Sequence, residues 1–209
     1  MGLKDFFKNF INKFFKGKST FKLGIYGPPN AGKTSLANWV SKEFSGEELG
    51  EVSKVPHETR EVTQGVVRIE KGGKELEINL IDTPGISTKV DFEEFLKYGL
   101  KKTDAKQRAR EATKGIIEAI KWLDDMDVVL AVMDSTKDPY NQVNITILGN
   151  LEARGIPVVI VANKTDLKSS KIKRVISAFP QYKVVPLSAK KGDGFQELYD
   201  TLFEVSKGL

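Results

Sequence analysis

The sequence predicts a three-layer α/β domain built on a mostly parallel sheet with one antiparallel edge strand. Apolar runs of strand length alternate along the chain with segments of helical periodicity, and this alternation is typical of parallel strands joined by helices. Two runs of alternating polarity meet at Gly72 and Gly73, which predicts one hairpin. The 209 residues are 40% hydrophobic and include no cysteine, so we expect a soluble domain with a real core and no disulfide.

The order of the predicted elements follows from these patterns. The first strand, FKLGIYG (21–27), precedes a helix that ends near Phe44, and the polar stretch 45–65 shows neither periodicity. A structureless loop of that length is uncommon in a compact domain unless it has a function. Helical spacing returns over 91–124. The remaining strands are predicted at 127–135, 156–166 and 182–189, and the remaining helices at 141–154, 172–179 and 194–207.

A phosphate-binding loop is the most specific signal in the chain. The spacing Gly27-x4-Gly32-Lys33-Thr34 in GPPNAGKTS is the Walker A pattern of P-loop NTPases, with a predicted strand before it and a predicted helix after it. The glycines let the backbone approach closely, so that its amides and the helix N-terminus face an anion. Lys33 is expected to reach the outer phosphates, and the Thr34 hydroxyl to coordinate Mg²⁺. The predicted phosphate-binding residues are Asn30, Ala31, Gly32, Lys33, Thr34 and Ser35.

A second motif, DTPG (82–85), follows the predicted strand LEINLI, in which apolar and polar residues alternate before Leu80 and Ile81. Asp82 would stand at the carboxyl end of that strand, where open α/β sheets bind ligands, and it can hold Mg²⁺ through water. The backbone amide of Gly85 can donate to a terminal phosphate. DTPG alone is as often an ordinary turn, but together with the Walker A loop it predicts a nucleotide-controlled switch.

Two further motifs indicate which base is held. NKTD (163–166) directly follows the strand VVIVA, and the Asp166 carboxylate can accept from the N1–H and 2-amino groups of guanine, donors that adenine lacks in that arrangement. Two charge-assisted hydrogen bonds favour guanine by about 3–6 kcal/mol. Asn163 is expected to brace the loop and to face the purine, and the Lys164 stem is expected to cover one face of the ring. In SAK, which comprises Ser188, Ala189 and Lys190, the amide of Ala189 can meet the guanine O6.

The chain resembles GTPases of the Era/TrmE type in the translation-factor class. GPPNAGKTS, DTPG, NKTD and SAK stand in that family's order, and the resemblance covers residues 21–207. It implies a Mg²⁺-dependent enzyme that binds GTP and GDP, hydrolyses GTP and acts as a molecular switch. We place the domain boundary between an N-terminal appendage, residues 1–18, and a GTPase domain, residues 19–209.

The polar loop contains PHETRE (56–61), which resembles the family's first-switch sequence PGTTRD. The resemblance implies that the Thr59 hydroxyl completes the Mg²⁺ shell when the γ-phosphate is present. His57 and Glu58 depart from the family pattern, so Thr63 remains an alternative to Thr59. We expect His57, the single histidine of the chain, to be an exposed loop residue.

The switch glycine is followed by Ile86-Ser87-Thr88, without the glutamine that orients water in Ras-like GTPases. GTPases of the Era/TrmE type likewise lack this glutamine, and some members use a K⁺ ion that an asparagine of the Walker loop positions. Asn30 occupies that position, so the resemblance implies slow basal hydrolysis that K⁺ stimulates; alternatively, Asn30 only stabilises the loop. The implied catalytic residues are Lys33, Thr59, Gly85 and Asn30, and the implied metal ligands are Thr34, Thr59 and Asp82 for Mg²⁺ and Asn30 for K⁺.

The region after the second switch is longer than compact Ras-like domains need, and it includes the basic stretch KKTDAKQRAR (101–110). Phe92, Phe95 and Leu96 have helical spacing, which predicts a packed helix with a solvated lysine face. The alternative is a nucleotide-controlled surface for a partner or RNA. No aromatic residues interleave the charges of this stretch, so single-strand stacking is not indicated.

Residues 3–16 predict an amphipathic helix. Its apolar stripe consists of Leu3, Phe6, Phe7, Phe10, Ile11, Phe14 and Phe15. Residues 1–20 contain five lysines and one aspartate, so they carry +4 of the net charge of +5. A free helix of this length is marginal in water, so its apolar face needs a cover. We favour an anionic membrane surface; the GTPase domain itself, a twin subunit or another partner protein remain open.

The sequence therefore predicts a cytoplasmic GTPase switch that binds the inner face of a membrane through residues 3–16, with Mg²⁺ and K⁺ as cofactors. Two other classes stay open: a ribosome or RNA assembly GTPase, and a nucleotide-binding scaffold with negligible hydrolysis. The chain leaves little room after its last helix for the RNA-binding domain of Era-type relatives, so we rank RNA and the ribosome behind the membrane. A GTP-dependent dimer is also left open.

Overall fold

The computed structural model describes residues 20–28, 30–45, 53–55, 63–71, 73–82 and 124–206. The strands are β1 (Thr20–Gly27), β2 (Ser53–Val55), β3 (Thr63–Lys71), β4 (Lys74–Asp82), β5 (Val128–Asp134), β6 (Val158–Asn163) and β7 (Lys183–Pro186). The helices of these ranges are α1 (Lys33–Ser45), α2 (Gln142–Ala153), α3 (Ile172–Ala178) and α4 (Phe195–Ser206). The described strands form one sheet in the order β2-β3-β4-β1-β5-β6-β7.

Most of the sheet is parallel, as the alternation of strands and helices predicts. The run of strands β4-β1-β5-β6-β7 is parallel at each of its pairings. β3 pairs antiparallel with β4 across the hairpin at Gly73, whose φ is +74°. This antiparallel strand does not form the edge of the described sheet, because the three-residue β2 pairs antiparallel along its outer side. β2 lies within the stretch predicted as loop. The sequence did not predict this strand, because three residues are too few to show a periodicity.

Helices cover both faces of the sheet. Leu130 of β5 belongs to a buried cluster with Leu36 of α1 and Leu198 of α4. The next residue, Ala131, belongs to a second buried cluster with Ile147 of α2. Successive side chains of a strand point to opposite faces, so a strand that is buried on both faces reads as a continuous apolar run. The result is the predicted three-layer α/β architecture.

The parallel strands bring polar residues to one edge of the sheet. Gly27 ends β1 in register with Asp82, the last residue of β4. Asp134 ends β5 in register with Asn163, the last residue of β6. Open α/β sheets bind their ligands at the carboxyl ends of the strands, so this edge is where a functional site is expected.

Several sequence predictions lie outside the described residues. They concern the N-terminal helix at 3–16, the loop residues His57 and Thr59, the switch residue Gly85, the basic stretch 101–110, and nearly all of the helix predicted at 91–124. Asp124, the last residue of that predicted helix, is described, and it lies in a turn. Within the part of the chain that the structure describes, no helix is both long enough and apolar enough to cross a bilayer.

Candidate functional site

The loop between β1 and α1 is a tight turn. Asn30 and Gly32 have positive φ angles of 60° and 100°, and the amide of Ala31 donates to the carbonyl oxygen of Pro28 at 3.2 Å. A Cβ atom at Gly32 would collide with Nδ2 of Asn163, so both the backbone angle and the close approach require glycine. Since α1 begins directly after this turn, the N-terminus of the helix faces the loop.

Lys33 is nearly buried at the start of α1, with 7% of its surface exposed. Its Nζ donates to the carbonyl oxygens of Gly27 and Pro28, both at 2.9 Å. These two bonds keep the ammonium against the loop backbone, beside the amides that open α1. A cation held there can contact a phosphate group that enters the loop.

Asn163 joins three parts of the site through its side-chain amide. Its Nδ2 donates to the carbonyl oxygen of Ala31 in the phosphate loop at 2.7 Å. Its Oδ1 accepts from the amide of Lys164 at 2.7 Å and from the amide of Ala189 at 2.9 Å. The residue is only 3% exposed. Because both polar atoms of this buried side chain are hydrogen-bonded, Asn163 links the phosphate loop to the loop after β7.

The amide of Ala189 has a different partner from the one the sequence predicts. It was expected to face the guanine O6, whereas in this structure it donates to Asn163 Oδ1. Ala189 nevertheless lines the cavity described below. An amide N–H can be shared between two acceptors, so the assignment to a purine oxygen stays a prediction.

Asp166 is oriented by Ser188, whose hydroxyl donates to Asp166 Oδ1 at 2.8 Å. This hydrogen bond lowers the pKa of the Asp166 carboxyl more than burial raises it, and the positive charges of Lys191 and Lys190 make smaller contributions that also lower it. The group is therefore ionised at neutral pH. An ionised carboxylate only accepts hydrogen bonds, so a ligand that meets Asp166 must present donors.

Lys164 is held by Asp134, a residue that no predicted motif includes. The Lys164 Nζ lies 2.7 Å from Asp134 Oδ2, and Asp134 Oδ1 accepts from the amide and hydroxyl of Thr136 at 3.0 and 2.6 Å. Burial alone would raise the pKa of the Asp134 carboxyl, but the hydrogen bonds from Lys164 and Thr136 hold it below its ordinary value. Asp134 directly follows the last apolar residue of a predicted strand, just as Asp82 does, and that signal could have found it.

A cavity of about 590 Å³ connects these groups. Its volume lies within the range of small-molecule sites. The residues that line it are Asn30, Gly32, Lys33, Thr34, Ser35, Asn163, Lys164, Asp166, Leu167, Ala189 and Lys190. Two of the predicted nucleotide-binding residues, Ala31 and Ser188, are not among the lining residues, and both are fully buried. Leu167 is an addition that the sequence motifs did not indicate, and it is 44% exposed.

The predicted magnesium ligands are described in part. Thr34 is exposed and lines the cavity. The backbone of Asp82 pairs with Gly27 on one side and with Thr63 on the other, so the alternative threonine shares this edge, while Thr59 lies outside the described residues. Hydroxyl and carboxylate oxygens are the ligands that a hard divalent cation prefers. The donor types at this edge therefore fit Mg²⁺.

Curated proteins similar to this chain are GTPases. GTPase Der of Kosmotoga olearia is 30% identical over 202 residues, which make up 93% of this chain and 40% of that protein. GTPase Era of Geotalea daltonii is 31% identical over 176 residues, which make up 82% of this chain and 50% of that protein. The chain thus spans half or less of the length of these two relatives.

The fold and the motifs agree with these similarities. The crystal structure of an Era variant from Aquifex aeolicus bound to GDP·AlF₄⁻ matches with a TM-score of 0.54 at 25% identity, covering 90% of this chain and 57% of that one. A family model described as 50S ribosome-binding GTPase matches residues 22–164, from the first strand into NKTD. The chain belongs to this GTPase family, and its α/β domain is a P-loop GTPase domain of the Era type.

Proposed function

We propose that the cavity at the carboxyl ends of the strands binds GTP and GDP, and that the chain hydrolyses GTP with Mg²⁺ as a nucleotide-dependent switch. One observation carries this proposal. Lys33, held in the phosphate loop, and Asp166, oriented by Ser188, line the same cavity of about 590 Å³. A ligand that satisfies both carries anionic groups at one end and hydrogen-bond donors at the other, as guanine nucleotides do.

The base end favours guanine over adenine. The ionised Asp166 accepts from the N1–H and 2-amino groups of guanine, two donors on one edge of the base. Adenine has no N1–H and carries no amino group at position 2, so an unpaired N1 would face the carboxylate. Two charge-assisted hydrogen bonds correspond to about 3–6 kcal/mol in favour of guanine. The Lys164 stem, held by the ion pair with Asp134, covers one face of the ring.

The phosphate end provides the groups that hydrolysis needs. Lys33 and the amides of residues 30–35 hold the β- and γ-phosphates, while Thr34, Asp82 and either Thr59 or Thr63 hold Mg²⁺ directly or through water. When bound, Mg²⁺ neutralises charge that develops on the phosphate oxygens. The Gly85 amide donates to the γ-phosphate, and loss of that phosphate releases the switch segment.

We expect hydrolysis to be slow and to be faster in K⁺ than in Na⁺. Gly85 is followed directly by Ile86, Ser87 and Thr88, so the glutamine that orients water in Ras-like enzymes has no counterpart next to the switch glycine. Asn30 is exposed and lines the cavity, where its side-chain oxygen can position a monovalent cation against the phosphates. The dependence on the cation is tested by measuring the rate of phosphate release in KCl and in NaCl, for the unmodified chain and for Asn30→Ala. Equal rates in both salts would remove the K⁺ part of the proposal.

The switch is proposed to act at an anionic membrane surface through residues 3–16, on the cytoplasmic side. The amphipathic pattern and the charge of that segment support this site of action. Ribosome or RNA assembly is the second candidate, and the description of the matching family as ribosome-binding GTPases favours it. A GTP-dependent dimer is compatible with either role.

The central test is nucleotide binding with Mg²⁺ present. Calorimetry with GDP and ADP is expected to show at least about a hundredfold preference for GDP. Equal affinity for both, or no binding of GDP, would overturn the proposed function. Phosphate release from GTP then separates an enzyme from a scaffold: turnover supports the switch, and binding without turnover supports the scaffold.

A further inference from the structure

Trp39 lies on α1 and reaches the loop that joins β7 to α4, residues 187–194. Its indole Nε1–H donates to the carbonyl oxygen of Ala189 at 2.8 Å, a contact between residues 150 apart in the sequence. The side chain is partly buried against the apolar cluster that α1 shares with α4. Trp39 follows the phosphate-binding motif, which ends at Ser35, and the proposed function assigns it no role.

The indole ring is fitted against the loop at more than one point. Phe195, the first residue of α4, stacks on the ring of Trp39 with their centroids 5.0 Å apart. A Cβ atom at Gly192 would collide with the Cζ2 and Cη2 atoms of the indole, and Gly192 has a φ of +81°, so glycine is needed there on both counts. These contacts fix the plane of the ring, and with it the direction of the N–H group.

Ala189 is held through both of its backbone groups. Its carbonyl oxygen accepts from Trp39 and its amide donates to Asn163 Oδ1 at 2.9 Å. The carbonyl and the amide belong to adjacent peptide planes that meet at the Cα atom, so the bond from Trp39 anchors one plane and the Cα atom from which the other plane extends. Ala189 lines the nucleotide cavity, whereas Trp39 does not.

We propose that Trp39 is a positioning residue for purine selectivity, which acts through Ala189 by aiming its amide at the 6-oxygen of guanine. The proposal rests on the proposed function of the cavity, and it adds the residue that sets the geometry of one base contact. Because α1 begins at Lys33, the same helix then positions both the phosphate contacts and the base contact.

The alternative is that Trp39 only packs. A packing residue stabilises the fold, and its loss affects every nucleotide to the same extent. A residue that aims the Ala189 amide affects only nucleotides whose base carries an oxygen acceptor at position 6. The two roles therefore differ in selectivity, not in melting temperature.

The test compares GDP with 6-thioguanosine diphosphate, which keeps the donors that face Asp166 and replaces the 6-oxygen by sulfur, a weak acceptor. Trp39→Phe keeps an aromatic ring for the stack on Phe195 and removes the N–H. We expect this variant to bind GDP about five- to tenfold more weakly than the unmodified chain does. Its affinity for the thio analogue should stay within about twofold of that of the unmodified chain. A second variant carries 3-benzothienylalanine at position 39, which keeps the bicyclic ring and lacks the N–H, and it should reproduce the selective loss.

Val205→Ala is the matched control, because Val205 packs against the same apolar cluster as Trp39. It should lower the melting temperature and leave the ratio of the two affinities unchanged. The inference is overturned if the variants without the N–H weaken both nucleotides equally or leave GDP affinity unchanged, or if the unmodified chain does not prefer GDP to the thio analogue. These results leave the proposed function intact, whereas failure of the unmodified chain to bind GDP removes both.

Discussion

In the proposed function the choice of purine depends on Asp166, and the substitution of this residue by asparagine is the sharpest test of that choice. Asp166→Asn keeps the shape of the side chain and replaces an acceptor oxygen by an amide donor. That donor would face the N1–H and 2-amino groups of guanine, whereas xanthine presents a carbonyl oxygen at position 2. We expect calorimetry to show GDP affinity about a hundredfold or more lower and a gain in affinity for xanthosine diphosphate.

Ser188→Ala is the control for this substitution, because it removes the 2.8 Å bond that orients Asp166 and keeps the carboxylate. It should lower the affinity for GDP about five- to tenfold without raising the affinity for xanthosine diphosphate. If Asp166→Asn binds GDP as tightly as the unmodified chain does, the carboxylate does not read the base.

The ion pair between Asp134 and Lys164 predicts a pH-dependent contribution to stability. The pKa of Asp134 is lowered in the folded protein. The ionised form is therefore favoured by folding, and its stabilising effect is present above the unfolded Asp pKa of about 3.9 and lost as the pH falls through the folded value. Asp134→Asn should lower the melting temperature at pH 7 by about 3–8 °C, and the difference from the unmodified chain should shrink below about pH 4.

Asp138 offers a matched comparison for Asp134. Its carboxylate lies 2.7 Å from Arg174, but both side chains are about half exposed, at 56% and 46%. An exposed pair contributes little because water screens it, so Asp138→Asn should change the melting temperature by no more than about 2 °C. Thermal scans from pH 3 to pH 8 that show the same profile for both variants would contradict the role given to the buried carboxylate.

At the scale of elements, the sequence predicts the strands, turns and helices whose formation depends on residues close together in the chain. Gly27, Asp82 and Asn163 each follow directly on the apolar residues of a predicted strand, and in the structure each ends a strand at the same edge of the sheet. The hairpin at Gly73 and the helix after the phosphate loop are likewise local, because turn chemistry and periodicity act over a few residues. The positions of these elements in the structure are therefore close to those predicted.

What the sequence did not predict depends on contacts between distant segments. The bond from Asn163 Nδ2 to Ala31 O joins residues 132 apart, and the Trp39 contact with Ala189 joins residues 150 apart. No periodicity encodes such pairs, since they arise only when the sheet brings the loops together. β2 was not predicted because three residues in a polar stretch become a strand only by pairing with β3.

The close approach of the loops predicts that Gly32 cannot be replaced. Gly32→Ala adds a Cβ that would collide with Asn163 Nδ2 at a φ of +100°, so the loop or the asparagine must move. We expect nucleotide affinity to fall by at least about a hundredfold, because both the phosphate loop and the brace to NKTD are displaced. Calorimetry with GDP measures this loss.

Gly155→Ala is the control for Gly32→Ala, because Gly155 also has a positive φ, +67°, and a Cβ there would meet nothing within 4 Å. It carries the backbone strain without the collision. Its melting temperature should fall by about 2–4 °C while GDP affinity stays unchanged. Equal losses of affinity in both variants would mean that backbone strain, and not the contact with Asn163, is what the loop cannot tolerate.

For the whole molecule, the distribution of charge separates the two candidate roles. Residues 1–20 carry +4 of the net +5, so the other residues together carry only +1. Binding to nucleic acid by charge needs many cations on one surface, which a nearly neutral domain supplies only through a local stretch such as 101–110. A short segment with four lysines beside an apolar stripe meets the requirements for anionic lipid instead.

The whole chain should therefore bind anionic vesicles through its first residues. Co-sedimentation with phosphatidylcholine vesicles containing phosphatidylserine is expected to retain the full chain and to release a chain that starts at Ser19, with GDP and with a GTP analogue. Lys8→Gln should weaken binding about fivefold, since a lysine near an anionic surface contributes about 1 kcal/mol. Phe10→Glu removes apolar contact and adds a negative charge, so it should weaken binding more than Lys8→Gln does.

The outcomes of this experiment distinguish lipid from the other covers of the apolar stripe. Binding that disappears at high salt and in vesicles of phosphatidylcholine alone means that charge and apolar contact act together. If neither chain sediments with any vesicle while both bind GDP, the membrane role fails and the GTPase assignment stands. The apolar stripe of residues 3–15 must then be covered by protein, because leaving five phenylalanines in water is unfavourable by roughly 1.5–3 kcal/mol each.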